Sequence, residues 1–154
     1  MTQTKKVYCN KHGVPWELVD WLFENGTSYT SALLPKEVHR GPVGQCYDVC
    51  LLNAVMQKNL RYVEGIALSR KDHEWIQHAW LTDGTYAYDP TWKALDRAGN
   101  EVAIPTAYIG VEIPTDAAAR YVLATEYAGI IANAWRKPEQ AATVLPKDCP
   151  IIKM

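Results

Sequence analysis

The chain has 154 residues, of which 48% are apolar and 21% charged, and its formal net charge is −1. That is enough sequence to bury one core, and too apolar a composition for a disordered chain. The near-neutral balance gives no basic footprint for nucleic acid or an acidic membrane surface, so neither is an expected partner.

The first residues, Met1-Thr2-Gln3-Thr4-Lys5-Lys6, are polar and lead into no apolar segment of the signal-peptide kind. No run approaches the roughly 18 apolar residues of a membrane span. A cytoplasmic location is expected, with the four cysteines held as reduced thiols. Six tryptophans and nine tyrosines stand against one phenylalanine. Amphipathic aromatics suit half-open pockets, but most of these are expected simply to replace Phe in the core.

In chain order, residues 1–13 read as an irregular or extended start. Pro15 then opens a helix whose apolar positions Leu18, Val19, Leu22 and Phe23 recur at helical spacing, with Asn25-Gly26 as the stop. Residues 27–44 hold Pro35, Gly41, Pro42 and Gly44 and read mostly as loop. Cys46 to Asn59 is nearly all apolar, which predicts a central helix buried on most sides. Four strands are expected next: Arg61–Leu68, Trp75–Thr82, Thr85–Asp89 and Thr106–Ile113. Pro114-Thr115-Asp116 opens an alanine-rich helix to about Tyr127 and on toward Trp135, and residues 136–154 are expected to lie over the surface as a tail. The order predicts a single α+β domain, a central buried helix packed on an antiparallel sheet.

Asp83-Gly84 is the strongest hairpin signal in the chain and suits a two-residue type I′ turn. That turn pairs Thr82 with Thr85 and sets His78 directly opposite Asp89 on one face of the sheet. A carboxylate facing an imidazole fixes its tautomer and stabilises the imidazolium, as a general base requires. The alternative is an ordinary cross-strand surface pair.

Cys46 follows the breaker-rich Gly41-Pro42-Val43-Gly44-Gln45 and opens the apolar helix. The first turn of a helix offers unpaired N–H groups and a partial positive charge. These favour a thiolate and can hold a developing oxyanion. The alternative is a small buried hydrophobe, a role that suits Cys50, one turn further along. Cys9 and Cys149 are expected to be structural or incidental. Cys9-Asn10-Lys11-His12 has metal-like spacing but no second ligand pair, so no metal site is expected. His39 and His73 are loop residues with no obvious partner.

Three blocks of residues now resemble the transglutaminase-like superfamily: Gly44-Gln45-Cys46 opening a helix, His78-Ala79-Trp80 on a strand, and Asp89-Pro90-Thr91 at the end of the next. Tyr62-Val63-Glu64-Gly65 is similar to the strand between the first two blocks. The resemblance covers Gly44 to Trp92, about a third of the chain. It implies a papain-like α+β fold and a catalytic triad of Cys46, His78 and Asp89. Arylamine N-acetyltransferases share the triad, and Arg40-Gly41 to Cys46 with Asn53 is similar to their nucleophile segment, although this chain is much shorter.

The implied activity is acyl transfer through a thioester on Cys46, acting on a peptide, protein or small amide, with no cofactor. Hydrolysis and transfer to an amine remain open. The backbone N–H of Cys46 is one oxyanion donor. For the second, Gln45 is favoured over Gln77 and the indoles of Trp16, Trp21 and Trp80. Trp80 shares the His78 face and is a candidate pocket wall. Glu64 could face the site or solvent, with solvent favoured for a lone strand Glu, and Tyr108 and Gly110 are candidates for another wall, with core packing favoured. The rival reading is a non-catalytic binding module or inhibitor on the same fold, such as a phage protein that blocks a host protein.

Overall fold

The computed structural model describes residues 15–71 and 73–154, so the expectations for residues 1–13, Cys9 and His12 among them, lie outside the described residues. Helix α1 (Trp16–Asn25) follows Pro15 and buries Leu18, Val19 and Leu22. Strand β1 (Thr27–Ser31) comes next, where loop was expected, with Tyr29 as its buried residue. Helix α2 (Cys46–Met56) then leads to β2 (Arg61–Ser69), β3 (Trp75–Thr82), β4 (Tyr86–Tyr88), a small hairpin of β5 (Lys93–Leu95) and β6 (Glu101–Ala103), and β7 (Pro105–Ile113). Three helices end the chain: α3 (Thr115–Thr125), α4 (Ile130–Arg136) and α5 (Pro138–Val144), before a 3-10 turn at Pro150–Lys153. Among the described residues no helix is long and apolar enough to cross a membrane.

The strands β1-β4-β3-β2-β7 form a closed barrel. This corrects the expected papain-like architecture of a central helix on an open antiparallel sheet. The reason is β1. It pairs antiparallel with β7 through Tyr29 and Tyr108, and parallel with β4 through Thr30 and Tyr86, so it fills the gap between two edges. The closed sheet is therefore mixed, and these strands keep no free edge.

Strand alternation sorts the side chains into two cores. Tyr29, Val63, Ala67, Trp80, Ala87 and Tyr108 fill the barrel. Tyr62, Ile66, Ala79, Leu81, Ile109 and Ile113 point outward and pack under the helices. Inside, Gly65 and Gly110 are directly paired. A Cβ on Gly110 would lie 2.8 Å from the Trp80 ring, so the bare backbone there is what admits the indole.

Helix α2 lies against the outer wall at β3 and β2 rather than at the centre. It buries Cys46, Cys50, Asn53 and Ala54, while Leu52, Val55 and Met56 are exposed. The expected long alanine-rich helix breaks at Glu126, which takes a left-handed conformation, and restarts after Gly129, which does the same. The segment expected to be a surface tail instead sends Ala141, Leu145, Cys149 and Ile151 into the core.

Glu64, expected to be solvated, is buried on the helix side of β2. Its carboxylate accepts from the Tyr62 hydroxyl at 2.6 Å and from the Ile130 and Ile131 N–H groups at 3.0 Å each. Those two N–H groups belong to the first turn of α4, where no intrahelical acceptor exists. Burial raises the Glu64 pKa, against the lowering effect of these three donors.

Candidate active site

The segment that leads into Cys46 is held before it reaches the helix. Asn53 on α2 donates to the carbonyl of His39 at 2.9 Å and accepts from its N–H at 2.8 Å, so the helix grips its own lead-in loop. The Gly41 N–H then donates to the carbonyl of Pro90 at 3.1 Å, which ties that loop to the turn after β4. Gly44 has φ +94, a left-handed step that glycine allows without strain. Gln45 follows as the N-cap residue, without a side-chain cap, and Cys46 is the first helical residue.

The β3–β4 connection differs from the expected turn. Thr82 pairs with Ala87, so Asp83 to Tyr86 form a four-residue loop and the register is displaced by two. Asp83 organises it, accepting from the N–H groups of Thr85 and Tyr86 at 2.9 and 3.1 Å and from the Tyr88 hydroxyl at 2.8 Å. A shift of two keeps every side chain on its face. His78 and Asp89 are thus diagonal rather than opposite, and Asp89 lies just past the end of β4. They still meet: His78 Nε2 is 2.8 Å from Asp89 Oδ2.

Asp89 is buried and held by four donors. The Tyr108 hydroxyl donates to Oδ2 at 2.8 Å, beside His78. The Thr91 and Trp92 N–H groups donate to Oδ1 at 3.2 and 3.0 Å. Cys46 lies beside His78 at the cleft and supports its charged form. Since Nε2 is committed to Asp89, the nitrogen left for the thiol is Nδ1. The structure therefore brings Cys46, His78 and Asp89 together at one site.

The electrostatics follow from this geometry. Burial pushes the His78 imidazolium down, but the Asp89 charge and hydrogen bond, with Cys46 adding to them, outweigh it and raise the pKa to about 9. Burial works against the Asp89 carboxylate too, and is overcome by the His78 charge and hydrogen bond, so its pKa is lowered. Burial pushes the Cys50 thiol far up, which makes it an inert neighbour.

A pH dependence of stability follows. His78 has an unfolded value of 6.5, so its charged form stabilises the fold fully below that pH. The contribution fades as pH rises through about 9. Asp89 behaves oppositely: its contribution is present above the ordinary carboxylate pKa of about 3.9 and is lost on acidification. The urea midpoint is expected to drop between pH 6.5 and 9 by more in the wild type than in His78→Gln. Equal slopes in the two proteins would show that the imidazolium adds nothing.

A cleft of about 230 Å³ opens on Cys46 and His78. Val43, Gly44, Ile76, Gln77, Thr91 and Trp92 complete its lining. The Trp92 ring meets His78 edge-on at 5.3 Å. Trp80 lies near-parallel to His78 at 6.3 Å, inside the barrel, so it backs the imidazole without lining the cleft. Gln45 is exposed and is not part of the lining. Among the described residues no cluster of His, Cys, Asp or Glu could hold a metal ion.

Sequence reasoning offers Tyr108 only as a candidate wall, not as a donor to Asp89, and assigns no part in the site to Thr91 or Trp92. Thr91 and Trp92 sit two and three residues beyond Asp89, a spacing at which an Asp side chain commonly accepts backbone N–H bonds. Tyr108 carried no local signal, because its approach to Asp89 depends on the closure of the barrel. Comparison with known proteins gives no match: no family model, no curated protein and no solved structure.

Proposed function

We propose that this protein is a cysteine-dependent acyl-transfer enzyme with Cys46 as nucleophile, His78 as general base and acid, and Asp89 as the residue that orients His78. The observation that carries this reading is the buried, hydrogen-bonded His78–Asp89 pair with Cys46 beside it on one cleft. The three blocks that resemble the transglutaminase-like superfamily contain these same residues. The reading takes the chemistry of that superfamily and not its expected architecture.

The proton of Cys46 passes to Nδ1 of His78, and the resulting imidazolium faces a fixed carboxylate. The sulfur attacks the carbonyl carbon of an amide or ester in the cleft. Its electron pair forms the C–S bond, and the carbonyl oxygen takes up negative charge beside the first N–H groups of α2. The C–N or C–O bond then breaks, and His78 gives its proton to the departing amine or alcohol. Water or an amine, deprotonated by His78, attacks the thioester and releases Cys46. A peptide, protein or small amide is the substrate class, and a reducing cytoplasm suits a reactive thiol.

The rival reading as a non-catalytic binding module has less support, since a pure binder needs no such set of polar groups. The test is the rate of Cys46 alkylation by iodoacetamide across pH, in the wild type and in His78→Ala. Fast reaction at pH 6.5, well below an ordinary thiol pKa of about 8.5, and its loss in the variant are expected. If Cys46 reacts no faster than Cys50, and His78→Ala changes nothing, the enzyme reading fails.

A further inference from the structure

The cleft contains one polar group with nothing to do. Thr91 is 3% exposed, it lines the cleft beside Cys46 and His78, and its Oγ1 has no hydrogen-bond partner among the described residues. A buried hydroxyl without a partner is a net cost to the fold. Its backbone is meanwhile fixed, because the Thr91 N–H donates to Asp89. The hydroxyl itself is covered, and a turn to another staggered rotamer would bring it to the cleft that Thr91 lines with Cys46 and His78.

Gln77 lines the cleft too, but it is half-buried and its amide is not an orphaned buried group; two other candidates fall away on position. Gln45, favoured by the sequence, is exposed and outside the cleft. The Trp80 Nε1 is also unpartnered, but it belongs to the barrel interior. The rest of the lining is informative as well. Val43, Gly44, Ile76 and Trp92 are uncharged and Gln77 is neutral, so apart from His78 no basic or acidic side chain faces a bound acyl group. Taking an anionic group from water into such a lining is costly without a counter-charge. The volume, about 230 Å³, lies below the roughly 300–1,000 Å³ of pockets for drug-sized ligands.

We propose that the Thr91 hydroxyl donates a hydrogen bond to the carbonyl oxygen of the acyl group attacked by Cys46, and that the cleft selects a small, uncharged acyl group. This rests on the acyl-transfer reading of the same site.

The experiment compares acylation of Cys46 by 4-nitrophenyl butyrate, which is neutral, with that by 4-nitrophenyl 3-sulfopropanoate, which ends a similar chain in a weakly nucleophilic sulfonate. Nitrophenolate release and intact mass are read in the wild type, Thr91→Val and Thr91→Ser. The neutral ester is expected to react at least about 10-fold faster than the anionic one. Thr91→Val is expected to slow butyrylation about 10²-fold, the usual scale for an oxyanion donor. Thr91→Ser keeps most of the rate.

Iodoacetamide alkylation develops no charge on a carbonyl oxygen. It falls far less in Thr91→Val than butyrylation does, and the variant's unfolding midpoint is unchanged or higher because no hydrogen bond is lost. Rapid alkylation with full butyrylation in Thr91→Val overturns the hydroxyl's role. Equal rates for the two esters, or rapid alkylation without butyrylation in the wild type, overturn the selectivity. Slow alkylation in the wild type overturns the acyl-transfer reading itself, and this inference with it.

Discussion

Asp89→Asn is expected to slow alkylation of Cys46 at pH 6.5 about 100-fold. The cause is a change of tautomer. The asparagine carbonyl keeps the Thr91 and Trp92 N–H groups, since an NH₂ there would face two donors. Its NH₂ then occupies the place of Oδ2, where it meets the Tyr108 hydroxyl and His78 Nε2. The hydroxyl can turn and accept. The imidazole can accept only with Nε2 unprotonated, which moves the ring proton to Nδ1, the atom facing Cys46. His78 then no longer has a lone pair for the thiol proton. Cys46 is thereby left without its base. The corresponding change in Ser-His-Asp hydrolases lowers turnover about 10⁴-fold for the same reason. Tyr108→Phe is the control: it removes one of four donors to Asp89, leaves the tautomer alone, and is expected to cost under about 10-fold. A rate for Asp89→Asn within threefold of the wild type would remove Asp89 from the mechanism.

Glu64→Ala is expected to destabilise the protein by about 3 kcal/mol, because each buried donor left without an acceptor costs about 1–3 kcal/mol while the cost of burying the carboxylate is removed. Typical domains have only about 5–15 kcal/mol in total. Three donors lose their acceptor at once: the Tyr62 hydroxyl and the Ile130 and Ile131 N–H groups. Glu64→Gln is milder, about 1–3 kcal/mol, because its amide oxygen still accepts and only one donor is opposed by the NH₂. Because burial holds the Glu64 pKa up, the wild type is relatively most stable where Glu64 is protonated and loses part of that as pH rises. The glutamine variant lacks this dependence. Urea unfolding at pH 5 and 7.5 reads both effects, and a loss below 1 kcal/mol in Glu64→Ala would mean that water replaces the carboxylate.

The elements with strong local patterns were legible in the sequence. Trp75–Thr82 was bounded correctly, and Arg61–Ser69 and Pro105–Ile113 within a residue, because each is an apolar run between breakers. Thr27–Ser31 was not, because four of its five residues are Ser or Thr and one is Tyr. Its pairing comes from two distant strands rather than from any apolar alternation of its own. Missing that strand turned a closed barrel into an open sheet. The apolar run after Cys46 misled in another way: Leu52, Val55 and Met56 are exposed, so hydrophobicity all round did not mean burial all round. At the site, His78 and Asp89 survived an error in the turn because a displacement of two conserves the face. Glu64 and Tyr108 could not be read, since their partners lie far along the chain at Ile130 and Asp89.

The closing of the barrel by β1 also orders events during synthesis. Cys46, His78 and Asp89 all lie on one stretch, with β2, β3 and β4 joined as neighbouring hairpins along it. The partners that seal the barrel come from both flanks: Tyr29 pairs with Tyr108, and Thr30 with Tyr86. Such distant contacts are slow to form, because a long loop must close before any pairing rewards it. A nascent chain that has emerged only as far as Asp89 already carries Cys46, His78 and Asp89, but β2 and β1 still lack the strand that covers their edges. Until β7 arrives, Asp89 has no Tyr108 hydroxyl and the sheet is open to pairing with other chains. Assembly of this site is thereby tied to synthesis through β7, and a chain truncated before Pro105 is expected to be prone to aggregate.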